Sequence, residues 1–160
     1  MSTRQIVYVA VLAAMYVVIG QVIRLPNPMV PGAIIAINMV VVVIAGAQLG
    51  PTAGALVGFV GTLLNAVSPA GNAFEFAAIV PHTIMGLTAG LLARVNVQVA
   101  ALAIIVGHAL NITAFLIAGL LPLNQLAVTI FSVGLLAETA VDIVIIWLAV
   151  GIPRQTSPSI

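Results

Sequence analysis

A few side chains that can carry a proton or hold a polar ligand stand in sequence that is otherwise almost entirely hydrocarbon. His82 lies in "AAIVPHTIMG", next to Pro81 and seven residues after Glu75. His108 and Asn111 are three apart and share one face of a helix. Glu138 and Asp142 are four apart, again on one face. An imidazole can relay a proton, accept or donate a hydrogen bond, or ligate a metal. Two carboxylates on one stripe need partners or neutralisation. Arg94 and Arg4 are the candidate partners for Asp142. Proton coupling, a structural pair and a partner-facing site all stay open for Glu138 and Asp142. Two histidines with Glu75 make a metal set on paper, but Glu75 lies two turns above His82, so no metal site and no cofactor are expected. No catalytic set emerges. "FSVGLL" is not a nucleophile elbow, and the histidines are 26 apart, which rules out H-E-x-x-H. The absence of cysteine removes thiol chemistry and disulfides. No enzyme activity is expected.

The elements that must position these groups are membrane spans. Of 160 residues, 63% are hydrophobic and 4% charged, and the mean hydropathy is +1.34. A soluble domain carries about 25% charged residues. So few charges cannot cover a water-facing surface, and the chain is an integral membrane protein. A net charge of +1, with no basic run, argues against nucleic acid. The first apolar run is of span length and more follow, so it reads as a retained helix and not a cleaved signal.

Proline, glycine and polar breaks cut the chain at 24–32, 49–51, 68–72, 93–96, 119–124 and 151–160. The pieces between them, 4–24, 34–49, 51–67, 73–93, 97–119 and 123–150, predict an all-α polytopic bundle of six transmembrane helices, two of them short, in one membrane domain spanning 1–160. Strict apolar–polar alternation, the mark of a membrane barrel, is missing from runs such as "INMVVVVIAG". With six spans, Arg4, Arg94 and Arg154 share one side and Arg24 lies opposite. The positive-inside rule puts both termini in the cytoplasm of a multi-pass cell-membrane protein. The glycines of "GPTAGALVGFVG" recur every three or four residues, a face suited to close helix packing.

At about 1.5 Å per residue, His82 lies roughly 13 Å below the outer surface, Asn111 about 12 Å and His108 about 16 Å. Asn65, Ser68 and Asn72 crowd the outer end between the third and fourth helices, near Glu75. Asn38 lies about a turn into the second helix. Pro81 frees a carbonyl near Ala77, which with His82 suggests a polar notch. The cluster suggests a polar cavity opening outward, although each group alone could simply bridge helices. Glu138 and Asp142 fall in the inner half.

On these features the chain resembles the substrate-binding S components of energy-coupling factor (ECF) transporters, which take up vitamins and related micronutrients. Length and six spans match. "AINMVVVVIAGAQLGP" and "LGPTAGALVGFVGTLLNAVSP" are similar to the helix two–three region of that family, and the likeness covers most of residues 5–95. Ala10-x-x-x-Ala14, with Ala13 beside it, resembles the small-residue motif by which members dock on their transmembrane coupling subunit. The resemblance implies that a small-molecule micronutrient enters from outside under a loop-one lid, here "LPNPMVPGA". The subunit then topples against the coupling subunit, and ATP-binding subunits drive release. Substrate-binding residues would come from Asn38, Asn65, Asn72, Glu75, His82, His108 and Asn111, chosen by position. The aromatic-rich pocket of thiamine-binding relatives is not evident. The single Trp147 sits near the inner interface. The sequence does not name the substrate. The rival class is a non-transporting scaffold, similar to the six-span protein of the rod-shape elongation system, which would bind no solute.

Overall fold

A computed structural model describes residues 1–23, 25–26, 34–69 and 71–151. Arg24, most of the expected lid (27–33), Ala70 and the tail from 152 on, with Arg154, lie outside the described residues. Six α-helices carry the fold: α1 (Thr3–Val22), α2 (Met39–Leu49), α3 (Pro51–Ala66), α4 (Ala73–Leu92), α5 (Ala103–Ile117) and α6 (Gln125–Gly151). α1, α4, α6 and the α5 segment counted from Val99 are long and apolar enough to cross a bilayer, while α2 and α3 are shorter.

Helix ends follow local chemistry. Ser2 and Gln5 form a reciprocal capping box at the start of α1. α2 stops and α3 starts at Gly50, whose φ of +97° a side chain would strain and whose neighbour Pro51 suits a first helical turn. Asn72 caps α4, and its side-chain oxygen accepts from the Phe74 and Glu75 amides. Gly119, at φ +69°, ends α5 with bonds from Gly119 N to Leu116 O and from Leu120 N to Phe115 O. That pattern is a Schellman closure.

α2 starts at Met39, later than the apolar run from 34 suggests. Ile34 and Ile35 are spent on a two-stranded antiparallel pair, β2 (Ile34–Ile35) against β1 (Leu25–Pro26). β-branched residues favour that extended state. The pairing ties the two ends of the α1–α2 connection together. Because consecutive helices reverse direction, the end of α1, the start of α2, the end of α3 and the start of α4 meet at this hairpin end. Arg4 and Arg94 stand at the opposite end, both exposed.

The main core draws on every helix, with Tyr16, Val42, Val57, Met85, Ile104 and Ile146 fully buried. A smaller cluster pins the hairpin ends of α4, α5 and α6, where Phe115 meets Phe74 and Phe131 edge to face, with centroids 5.0 and 5.8 Å apart. At the other end the Trp147 indole donates to the Gln98 carbonyl at 3.0 Å. The tightest crossing is α3 on α4. A Cβ at Gly54 would meet the Gly86 carbonyl, and one at Gly58 the His82 carbonyl, so the glycine face serves backbone contact. Large apolar side chains such as Val11, Val18, Leu126, Leu136 and Leu148 point outward, which suits hydrocarbon as solvent.

Candidate functional site

The α3–α4 crossing sets the position of His82, because Gly58 lets the backbone of α3 lie on the His82 carbonyl. Its ring projects into the bundle and is 3% exposed. Nδ1 lies 2.9 Å from both the Tyr16 hydroxyl and Thr62 Oγ1. Nε2 lies 3.2 Å from Asn111 Nδ2. With that amide donating to Nε2, the ring proton sits on Nδ1 and is offered to the two hydroxyl oxygens. The same Asn111 nitrogen reaches Met39 Sδ at 3.9 Å. Asn38 and Thr62 hydrogen-bond the Tyr16 phenol, and Glu75, in the first turn of α4, lies near it. One network thus joins α1, α2, α3, α4 and α5.

Toward the hairpin end, Asn38 and Asn65 face Gly20 of α1. A Cβ at Gly20 would lie 2.7 Å from Asn38 Nδ2 and 3.4 Å from Asn65 Nδ2. Both asparagines are buried. The side-chain carbonyl oxygens of Asn38, Asn65 and Asn111 accept no hydrogen bond among the described residues. A buried, unmet carbonyl costs about 1–3 kcal/mol. Three such oxygens lie in the buried interior of the bundle.

His108 belongs to a neighbouring group. Its Nδ1 is 2.5 Å from Thr139 Oγ1, and its Nε2 is 3.5 Å from Glu138 Oε1. Asp142 follows one turn along α6, on a buried stripe that runs through Gly134, Glu138, Asp142, Ile146 and Val150.

Of the sequence-predicted residues, Asn38, Asn65, His82, His108 and Asn111 are thus gathered in the interior. Asn38 is the residue before α2 and not a turn inside it. Asn72 is exposed and spent on capping α4. Glu75 is partly buried beside the network. Two expectations are corrected. Arg4 and Arg94 do not pair with Asp142: both are exposed, and Arg4 Nε donates instead to the Tyr8 hydroxyl at 3.0 Å. Their stems start at the helix ends, too far along the axis. The second concerns Pro81. The groove beside it, about 340 Å³ between α4 and α5, is lined by Ala77, Val80, Ile84, Leu110 and Ile117 and is apolar, whereas His82 turns the other way into the bundle. Neighbouring residues on a helix point about 100° apart.

Tyr16 and Thr62 belong to the His82 network and Thr139 to the neighbouring group, and the sequence reading singles out none of the three. Tyr16 carried a signal, since Val9, Ala13 and Tyr16 recur at the four- and three-residue steps of one buried face. Of the docking candidates, Ala10 and Ala14 are exposed on α1, and Ala13 is 1% exposed, turned inward.

Among the described residues, a buried polar lattice thus spans five apolar helices. The chain belongs to the family described as ECF-type riboflavin transporter, S component, whose model matches residues 1–153. It is therefore the substrate-specific membrane subunit of an ECF transporter, a multi-pass protein of the cell membrane and not an enzyme. No curated protein and no solved structure gives a significant match.

Proposed function

We propose that this chain captures riboflavin, the vitamin for which its family is described, at the hairpin end of the bundle and from the outside. It then delivers the vitamin to a transmembrane coupling subunit driven by ATP-binding subunits. The observation that carries the reading is the set of three buried amide oxygens, on Asn38, Asn65 and Asn111, that lack donors among the described residues. Riboflavin brings an imide N–H flanked by carbonyls and a chain of ribityl hydroxyls. A carboxamide, with one acceptor and one N–H₂, is the complement of an imide edge. His82 and Tyr16 hold Asn111 and Asn38 in place, and Gly20 keeps α1 clear of the two outer asparagines. The cytoplasmic placement of the termini rests on Arg4 and Arg94 at the end opposite the hairpin. Ala10 and Ala14, exposed together on α1, form the surface offered to the coupling subunit.

Quenching of flavin fluorescence by the purified protein tests this. One riboflavin per chain, with weaker binding in Asn65→Ala, is the expected result. A titration with no quenching and no rise in melting temperature would overturn it.

A further inference from the structure

His108, Glu138 and Asp142 are all buried, and one ligand atom from each lies within 4.8 Å of the other two. The protonation pattern follows from Thr139. Its hydroxyl donates to the Leu135 carbonyl at 2.6 Å, which uses its only hydrogen. Toward His108, 2.5 Å away, it can then only accept, so Nδ1 carries the imidazole proton. Nε2 is left with a lone pair, and it faces Glu138 Oε1 at 3.5 Å. Among the described residues, neither of those atoms has a hydrogen-bond partner, nor does either oxygen of Asp142. Left unprotonated, Nε2 and Oε1 would set acceptor against acceptor, so the contact calls for something positive, a proton or a cation, and no arginine among the described residues is buried.

We infer that these three residues form a binding site for a divalent transition-metal cation inside the bundle, between α5 and α6. One distance, one hydrogen bond and the charge balance converge on it. The 3.5 Å separation is too long for a charge-assisted hydrogen bond. It matches the edge of a tetrahedron with bonds of about 2.1 Å, which is roughly 3.4 Å. A ligating histidine donates its other N–H to a fixed acceptor, the part Thr139 plays here. Two carboxylates and a divalent ion sum to zero charge, which a membrane interior favours. One imidazole with two carboxylates suits zinc, manganese, iron or cobalt better than calcium, which needs more oxygens. Asp142 completes the set, since one of its oxygens lies within 4.8 Å of the other two ligand atoms.

The test uses Co²⁺ with the purified full chain in nanodiscs. Expected are visible d–d bands that saturate at one Co²⁺ per chain and are bleached by Zn²⁺. Glu138→Gln and Asp142→Asn should each weaken binding roughly 100-fold or more, and Thr139→Val, which touches no metal, by about 10- to 100-fold with rescue by Thr139→Ser. Should an acid variant fail to fold, the wild-type stoichiometry and the Thr139 pair still decide. Absent bands, or Co²⁺ affinity unchanged by Asp142→Asn or Thr139→Val, would overturn the site. It would then hold a proton instead. Riboflavin quenching by the wild type is measured separately, so failure of the flavin reading leaves this result standing.

Discussion

The Tyr16 hydroxyl and His82 Nδ1 are 66 positions apart in the chain and 2.9 Å apart in the bundle. The contact is buried and edge-to-face, with the ring planes at 64°. It fastens the first helix to the fourth at the level where α3 passes between them through Gly58 and Gly61. α1 otherwise presents mostly lipid-facing side chains, so this contact does much to fix its rotation about its own axis. Tyr16→Phe removes the hydroxyl but leaves Thr62 for His82, and the loss should be about 1 kcal/mol. His82→Ala removes the ring that Tyr16, Thr62 and Asn111 share and opens a buried cavity, and should cost several times that. Thermal unfolding in detergent should rank His82→Ala well below Tyr16→Phe. Equal melting temperatures would mean that the histidine holds nothing together.

Gly58 makes a sharper test of how the site is positioned. A methyl group there would strike the backbone carbonyl of His82, which cannot rotate away as a side chain could. The two helices must separate, at a cost of about 1–3 kcal/mol. We expect Gly58→Ala to lower both the melting temperature and riboflavin affinity, because His82 and Asn111 move with α4. Gly50 is the contrast: its added Cβ meets nothing within 4 Å, but its φ of +97° makes alanine strained. Gly50→Ala should therefore destabilise the α2–α3 corner while leaving the affinity of the surviving folded protein near that of the parent. Identical affinity losses in both variants would contradict this division.

Much of the fold was legible because a membrane chain punctuates itself: apolar runs must be helices, and Pro or Gly must end them. "LGP" marked the α2–α3 corner, and the glycine face marked a close-packing surface on α3 without naming α4 as its partner. The hairpin was not legible, since Ile34 and Ile35 suit a strand and a helix equally in so short a run. Polar residues such as His82 and Asn111 stood out because they are rare in such sequence. Thr62 and Thr139 did not, because a threonine hydroxyl can bond its own helix backbone and so draws no attention, and Tyr16 was marked only by its spacing with Val9 and Ala13. The approach of His108 to Glu138 depends on how α5 and α6 rotate against each other, which no spacing within one helix encodes. The expected arginine partners for Asp142 failed for a related reason: depth alone suggested them, and depth ignores the reach of the side chain.

The open amide oxygens give a prediction about ligand binding that is separate from folding. Asn65→Ala removes a carbonyl with no partner among the described residues, so the empty protein should lose little stability and could gain some. The bound protein loses a ligand contact worth about 1–3 kcal/mol, which is roughly five- to 150-fold in affinity. Asn111→Ala should weaken binding similarly but also lower the melting temperature, since its amide nitrogen serves His82. Calorimetric titration beside thermal unfolding separates the two. If Asn65→Ala binds riboflavin as tightly as the parent, the ligand lies elsewhere.

The first helix carries the prediction that separates binding from delivery. Ala10 and Ala14 lie one turn apart on its exposed face, while Ala13 points into the bundle at 1% exposure. A helix of the coupling subunit laid on Ala10 and Ala14 would come close enough for backbone contact, and bulk there would hold it off. The amide cluster faces the other side of α1, around Gly20, so binding should not notice. We therefore expect Ala10→Leu with Ala14→Leu to keep riboflavin affinity and melting temperature, yet to abolish ATP-driven uptake and co-purification with the coupling subunit. Ala13→Leu serves as the control, since it overfills the core beside Val9 and Tyr16 and should cost about 1–3 kcal/mol of stability. A misfolded double variant would show that the exposed face packs against something within the subunit's own assembly. A double variant that folds, binds and still transports at the parent rate would remove this surface from the delivery step.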